Sequence, residues 1–142
     1  MHKLLVAIDS SENALRALGH AISMAKAGCD IELVLVNAHE PPIVYGEIQV
    51  YLTEERAREM LQHHSEALMK PAAELARNAG VKHTTEIRIG DVAQEIATAA
   101  EEHGCDGIVM GTRGMGAVGN LLMGSVATKV VHLAKVPVTL VK

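Results

Sequence analysis

Five glycines fall within fourteen residues in the segment between Gly111 and Ser125. An apolar run, Ile108-Val109-Met110, precedes this segment, and a helix-forming sequence begins at Ser125. Glycine lets backbone N–H groups approach a ligand without a Cβ in the way. A helix amino end adds unpaired N–H groups and a partial positive charge. The segment therefore predicts a site that cradles phosphate groups, because the apolar residues 121–123 argue against a solvent loop.

Two common phosphate-binding motifs do not fit this segment. Gly114 to Gly119 matches GxGxxG, but no helix can begin at Gly119 before Gly124, and no acidic residue follows to hold a ribose. Gly119 to Ser125 resembles a P-loop in which Ser125 occupies the place of the lysine. Neither dinucleotide binding nor P-loop hydrolysis is supported.

Apolar runs alternate with helical patterns along the chain, which predicts an α/β domain with a parallel sheet. The predicted strands are residues 4–8, 31–38, 82–89, 108–110 and 136–141. Helix starts are predicted after Asp9-Ser10-Ser11, at Thr53, at Asp91 with Gln94 in a capping box, and at Ser125. Gly28 and Gly80 should end the first two helices, and Pro71 should kink or split the second. In such sheets ligands bind beyond the carboxyl ends of the strands, here near Asp9-Ser10 and Gly111-Thr112.

The apolar residues within the first two helices predict their buried faces. In the first helix these are Leu15, Leu18, Ile22 and Ala25, and in the second Met60, Leu61, Leu68 and Leu75. The core must be aliphatic, because Tyr45 and Tyr51 are the aromatic residues of the chain and it has no Phe or Trp. A bound base would therefore rest on aliphatic side chains, and the aromatic platforms of single-stranded nucleic-acid binding are missing.

The charge distribution indicates a small anionic ligand. The net charge of −4 gives no global attraction to nucleic acid or to an anionic membrane. The last 36 residues carry no acid and four bases (+4), namely Arg113, Lys129, Lys135 and Lys142, whereas the first 106 residues sum to −8.

The chain is expected to be cytoplasmic, with no membrane and no nucleic-acid partner. No apolar run approaches the roughly 20 residues of a membrane span, and the opening Met1-His2-Lys3 leads directly into a predicted strand. Cys29 and Cys105 lack the CxxC spacing of a redox or zinc motif.

No catalytic residue and no protein-only metal site is predicted. Adjacent His63 and His64 diverge by about 100° on a helix and cannot chelate one ion together. Ser125 has no GxSxG context and no histidine placed by local sequence to activate it. Any hydrolysis of a bound nucleotide is expected to be slow, because phosphoryl transfer needs charge clamps and a positioned water.

Gly111, Gly114, Gly124 and Ser125 follow the pattern glycine, two residues, glycine, nine residues, glycine and serine. With the opening from Lys3 to Ser11 and the closing strand, this pattern resembles the ATP-binding subgroup of the universal stress protein family. The resemblance covers residues 1–142 as one domain. It implies a three-layer, doubly wound α/β fold with a five-stranded parallel sheet in the order 3-2-1-4-5, as in adenine nucleotide alpha hydrolase-like proteins.

The resemblance also implies a set of residues that bind ATP or AMP. Ala7, Ile8 and Asp9 would border the adenine and ribose, Val36 at the end of the second strand would meet the adenine edge through its backbone, and Met110 and Gly111 would pack near the sugar. The phosphates would be held by Gly114, Gly124, Ser125 and Val126. Arg113 would either pair with a phosphate or face solvent, and Asp9 and Ser125 would bind, cap helices, or do both. Ala7 stands where many relatives carry proline, and Mg²⁺ or Mn²⁺ would be held through the phosphates.

The function implied is that of a stress-response regulatory protein that acts by binding adenine nucleotide, with at most slow ATP hydrolysis. The resemblance further implies a homodimer through the edge strand from Val136 to Val141, in which Pro137 cannot donate a ladder bond. Two alternatives stay open. One is a true ATP hydrolase or nucleotidyl-transfer enzyme, and the other is a dimeric protein–protein module with an empty site.

Overall fold

Strands and helices alternate through the residues that the computed structural model describes, which are 2–42, 53–113 and 123–142. The strands are β1 (His2–Ala7), β2 (Ile31–His39), β3 (His83–Ile89), β4 (Gly107–Gly111) and β5 (Val138–Val141). The helices are α1 (Glu12–Lys26), α2 (Glu54–Asn78), α3 (Val92–Glu102) and α4 (Ser125–Leu133).

The sheet has five parallel strands in the order β3-β2-β1-β4-β5, which confirms the predicted fold class and strand order. β1 lies at the centre and pairs with β2 from His2 opposite Ile31 to Ala7 opposite Val36. On its other side β1 pairs with β4. The direction of winding reverses between β1 and β4, so the crevice beyond their carboxyl ends is the expected ligand position.

Helices α1 to α3 begin where the sequence predicts. At each start, the side chain of the N-cap residue accepts the backbone N–H of the residue three positions later. Ser11 and Thr53 accept at 3.1 Å and Asp91 at 3.0 Å. The predicted capping box at α3 forms only in part, because the Gln94 side chain donates to Thr98 Oγ1 at 3.1 Å instead of turning back to the cap. Gly28 and Gly80 end α1 and α2 with positive φ angles of 97° and 72°.

Helix α2 runs unbroken for 25 residues through Pro71, so the prediction of a split there is wrong. Pro71 removes the N–H that would bond to the Ala67 carbonyl. Both residues are exposed, so water can satisfy that carbonyl and the helix continues. The predicted last strand is also too long at its start, because pairing begins at Val138 and Pro137 contributes only its carbonyl, which accepts the Ile108 N–H at 2.9 Å.

Two aliphatic clusters fill the space on either side of the sheet. One lies against α1 and α2 and contains Val6, Leu33 and Leu35, while the other lies against α3 and α4 and contains Leu5 and Val34. The helix faces predicted from large apolar residues are partly wrong. Leu15, Met60 and Leu75 are 40%, 55% and 46% exposed, whereas the buried residues of α2 are Ala57, Ser65, Met69, Ala72 and Ala76.

Small side chains take the inward positions of α2 because they allow the helix to lie close to the sheet in a densely packed interior. Met60 and Leu75 lie toward the solvent instead, whereas Met69 reaches the core between the small residues. In the described ranges, no helix is both long enough and apolar enough to cross a membrane.

Candidate functional site

The carboxyl ends of β4 and β5 and the amino end of α4 are joined by backbone hydrogen bonds. The Gly124 N–H donates to the Thr112 carbonyl at 2.7 Å, and the Thr112 N–H donates to the Val141 carbonyl at 2.9 Å. The first bond closes the glycine-rich segment at its base, because Thr112 follows β4 and Gly124 immediately precedes α4. The start of α4 is thereby held beside the carboxyl end of β4, which is one border of the ligand crevice predicted between β1 and β4.

The amino end of α4 presents backbone donors. Gly124 is the N-cap residue, with φ −74° and ψ 167°, and no side chain caps the helix. The first intrahelical bond is donated by the Thr128 N–H to the Gly124 carbonyl at 3.0 Å. The N–H groups of Ser125, Val126 and Ala127 therefore have no acceptor within the helix. Together with the positive end of the helix dipole, they form a site suited to an anion.

Gly124 and Ser125 lie at the start of α4, where Gly124 is the N-cap residue and Ser125 the first residue of the helix. The Gly124 N–H, expected to donate to a phosphate, is already hydrogen-bonded to the Thr112 carbonyl within the fold. Ser125 is exposed and is the first helical residue, so the alternative that it caps α4 is wrong. Asp9 is not a helix cap either, since Ser11 is the N-cap of α1. Asp9 Oδ1 accepts hydrogen bonds from the Ser11 N–H at 2.8 Å and from the Ser11 hydroxyl.

The apolar residues of the predicted site divide between the two faces of the sheet. Ala7, Val36, Met110 and Val126 share the cluster against α3 and α4 and form one aliphatic wall. Ile8 belongs to the opposite cluster against α1 and α2, so its side chain is separated from that wall by the sheet. Gly114 lies outside the described residues.

Val36 lies within β2, three residues before the strand ends, and its side chain is fully buried. Its carbonyl accepts the Ile8 N–H at 2.8 Å. Alternate residues of a strand turn their N–H and C=O to the same side, so Ala38 also directs these groups toward β1. The pairing of β1 with β2 ends at Ala7 opposite Val36, so the polar groups of Ala38 face the crevice beyond that pair. The sequence pattern did not predict a role for Ala38, although the greater length of β2 relative to β1 is a signal for it.

Gly111 is in close contact with Asn13, a polar residue that the sequence pattern did not single out. A Cβ added at Gly111 would lie 2.7 Å from Asn13 Cγ, which leaves no room for a side chain. Asn13 is buried in the first turn of α1. Its Oδ1 accepts the Arg113 N–H at 2.8 Å, across a sequence separation of 100 residues.

The positive charge of the last 36 residues is partly compensated within the fold. Lys129 Nζ lies 2.9 Å from Asp91 Oδ2, and Lys135 Nζ lies 3.3 Å from Glu101 Oε1. The hydrogen bond from the Gln94 N–H, followed by that from Lys129, lowers the pKa of Asp91. The first turn of α4 carries no acidic residue. Attraction for an anion at this point therefore comes chiefly from backbone N–H groups rather than from these lysines.

Two open clefts lie elsewhere, flanking β3, with volumes of about 390 and 330 Å³. Both are lined in part by Glu86, whose carboxylate is paired with Arg88 and His103. Ligand binding there would have to compete with these ion pairs, and neither cleft includes the donors at the start of α4. Among the residues with described positions, no three His, Cys, Asp or Glu side chains are grouped to hold a metal ion.

Comparisons with known proteins give a consistent result. The model of the universal stress protein family matches residues 1–142. A universal stress protein from Thermus aquaticus, encoded in the QAH/OAS sulfhydrylase 3′ region, is 39% identical over 140 residues, which cover 98% of this chain and 97% of the relative. The solved protein MJ0577 is 29% identical with a TM-score of 0.85, covering 99% of this chain and 94% of that one. The universal stress protein from Archaeoglobus fulgidus in complex with dAMP has 21% identity and a TM-score of 0.72, covers 100% and 98% of the two chains, and shows the same fold.

Proposed function

The chain belongs to the universal stress protein family, and on that premise we propose that it is a stress-response regulatory protein that acts by binding an adenine nucleotide. The observation that carries the proposal is the hydrogen bond from the Gly124 N–H to the Thr112 carbonyl, which holds the donor-rich start of α4 beside the end of β4. A neighbour of the same fold binds dAMP, which supports an adenine nucleotide as the ligand.

The phosphates bind at the start of α4. The N–H groups of Ser125 and Val126 and the exposed Ser125 hydroxyl donate to phosphate oxygens, while Gly124 keeps the approach clear of side chains. Arg113 lies at the entrance of the glycine-rich segment and adds a positive charge near the phosphates. Gly114 belongs to the same proposal, as a further backbone donor.

The base and sugar bind along the wall formed by Ala7, Met110 and Val126. The Ala38 carbonyl accepts from the exocyclic amine of adenine, and the Ala38 N–H donates to the neighbouring ring nitrogen. The Asp9 carboxylate accepts from a ribose hydroxyl. Asp9 is the carboxylate of the described part of the site, and one of its oxygens already accepts the Ser11 N–H. An Mg²⁺ or Mn²⁺ ion would therefore be held through the phosphates of ATP and by water.

The site is suited to binding more than to catalysis. Phosphoryl transfer relies on cationic clamps and a residue that positions the attacking water. Lys129 and Lys135 are already ion-paired with residues at the two ends of α3. We therefore expect at most slow ATP hydrolysis.

The test is calorimetric titration of the purified protein with AMP and ATP, combined with mass spectrometry of any nucleotide that it carries. Gly124→Val should abolish binding, because the new side chain fills the approach to the donors. The protein should still fold, because φ −74° and ψ 167° suit a β-branched residue. Gly19→Val, in an exposed part of α1 with nothing within 4 Å of the added Cβ, is the matched control and should bind normally. Normal affinity in Gly124→Val would refute the proposal.

We further propose a homodimer through the edge strand from Val136 to Val141. The carbonyls of Pro137 and Val141 accept bonds from the β4 side, so by alternation the N–H groups of Val138 and Leu140 point to the outer edge. Val138→Pro removes one outward N–H and should produce monomers in analytical ultracentrifugation, whereas Val138→Ala loses packing but keeps the N–H and should stay dimeric. A wild-type protein whose mass is that of a monomer at every concentration would contradict this proposal.

A further inference from the structure

Asn13 connects two parts of the molecule that lie far apart in sequence. Its Nδ2 donates to the Val141 carbonyl at 3.1 Å, and its Oδ1 accepts the Arg113 N–H at 2.8 Å. The amide therefore joins the end of β5 to the entrance of the glycine-rich segment. Asn13 is 7% exposed, so water competes little for either bond.

The Val141 carbonyl is shared between two donors. It accepts from Asn13 Nδ2 and also from the Thr112 N–H at 2.9 Å, and the Thr112 carbonyl in turn accepts the Gly124 N–H at 2.7 Å. One connected chain of hydrogen bonds thus runs from α1 through the end of β5 to the start of α4. A displacement at Arg113 or at Gly124 therefore reaches the Val141 carbonyl, because Asn13 and Thr112 each bond to that carbonyl and to one of these two residues.

We infer that Asn13 is a positioning residue that sets the entrance of the phosphate-binding segment and couples nucleotide occupancy to the edge strand β5. This inference rests on the proposed function, since it concerns the same site. When phosphate binding at the start of α4 shifts Gly124 or Arg113, the hydrogen bonds through Thr112 and Asn13 carry that shift to the carboxyl end of β5. The coupling is reciprocal, so a change at the β5 edge alters nucleotide affinity to the same extent.

The side-chain amide is essential for this role, because it offers a donor and an acceptor at once. Leucine has the same branched shape at Cγ but offers neither a donor nor an acceptor, so Asn13→Leu removes both bonds and leaves the space filled. Asn13→Asp keeps the acceptor for the Arg113 N–H and places a second oxygen against the Val141 carbonyl. When that carboxyl is protonated it becomes a donor again and reproduces the amide.

Arg16→Gln is the matched control. Arg16 Nε donates to the Lys142 carbonyl at 2.9 Å, so it holds the same end of the chain from the same helix. Lys142 directly follows Val141, but the Arg16–Lys142 bond does not involve the glycine-rich segment. A general loosening of the chain end would therefore appear in Arg16→Gln as well, whereas a loss of coupling would not.

The first measurement is amide hydrogen exchange without ligand, read by NMR in the full chain. Exchange at the Arg113 N–H should accelerate about tenfold in Asn13→Leu and stay unchanged in Arg16→Gln. The second measurement is AMP affinity by calorimetry, which should fall about tenfold in Asn13→Leu and in Asn13→Asp at neutral pH. As the pH falls toward about 4, the ratio of the Asn13→Asp affinity to the wild-type affinity should return toward one.

The third measurement separates coupling from binding. Saturating AMP should slow exchange at the outward N–H groups of Val138 and Leu140 in the wild type, but not in Asn13→Leu at a concentration that saturates the variant. Unchanged Arg113 exchange in Asn13→Leu, unchanged affinity in both Asn13 variants, or protection that persists in Asn13→Leu would overturn the inference. A wild-type protein that binds no AMP would instead refute the proposed function, so the two failures are distinguishable.

Discussion

Gly111→Ala should destabilise the protein because of a single contact with Asn13. The φ angle of Gly111 is not positive, so an alanine suits the backbone and the effect is steric. The added Cβ would lie 2.7 Å from Asn13 Cγ and 3.0 Å from Asn13 Cβ, whereas ordinary contact begins at 3.4 Å. Asn13 Oδ1 lies closer still, so the side chain must move by at least about 0.7 Å, which disturbs both its bond to the Val141 carbonyl and the bond that Oδ1 accepts from the Arg113 N–H.

The free energy of unfolding should fall by about 2–4 kcal/mol. Overpacking at a buried position costs roughly 1–3 kcal/mol, and each hydrogen bond lost contributes about 1 kcal/mol. In an Asn13→Ala background most of the overlap is absent, so the same substitution should cost less than about 1 kcal/mol. The coupling energy between the two positions should thus be about 1–3 kcal/mol.

The assay is urea unfolding of the two single variants, the double variant and the wild type. Gly107→Ala is the control, since it lies in the same strand and its added Cβ would meet the flexible end of Leu4 at 3.1 Å and the Pro137 carbonyl at 3.4 Å. Gly107→Ala should cost the same with and without Asn13. Additive free energies for Gly111→Ala and Asn13→Ala would show that Asn13 is not what excludes a side chain at Gly111.

Two further predictions concern stability. Pro71→Ala should raise the free energy of unfolding by about 1–3 kcal/mol, because an N–H is restored inside α2; an unchanged urea midpoint would contradict this. The pKa of Glu86 is lowered because burial, which raises it, is outweighed by hydrogen bonds from His103 and Arg88. Since the folded-state pKa lies below the usual 4.5, Glu86 stabilises the fold above that pH, and this contribution is lost as the pH falls through the lowered value. Glu86→Gln should flatten the fall of stability below about pH 4.5, and an equally steep fall in both proteins would count against the assignment.

The strands and the starts of three helices could be predicted because they depend on local sequence, whereas the strand order was implied by the family resemblance. Unbroken apolar runs identify buried parallel strands, and Ser11, Thr53 and Asp91 are residues that favour helix N-caps. The inward face of α2 was harder to predict, since hydrophobicity favours Met60 and Leu75 while the close approach of helix and sheet favours alanine. The distance between helix and sheet is a tertiary property, and the periodicity of apolar residues along the helix does not predict it.

The sequence predicted which segment forms the candidate site, but not the contacts that position it. The glycines and the start of α4 follow from the local pattern. The role of Asn13 depends on partners 100 and 128 residues away, and a polar residue in the first turn of a helix gives no signal of burial. Whether the backbone groups of Ala38 face the crevice depends on where β1 ends relative to β2. The sequence of either strand alone does not determine this register.

The two edge strands of the sheet, β3 and β5, differ in charge, and this difference limits how many chains could join edge to edge. The β3 edge carries Arg88, whose guanidinium contacts Glu86, Glu95 and Glu102 at 2.8–3.0 Å. Charged side chains on an edge strand oppose the addition of another strand. Two chains joined at β5 would expose a β3 strand at each end, so the combined sheet resists further polymerisation.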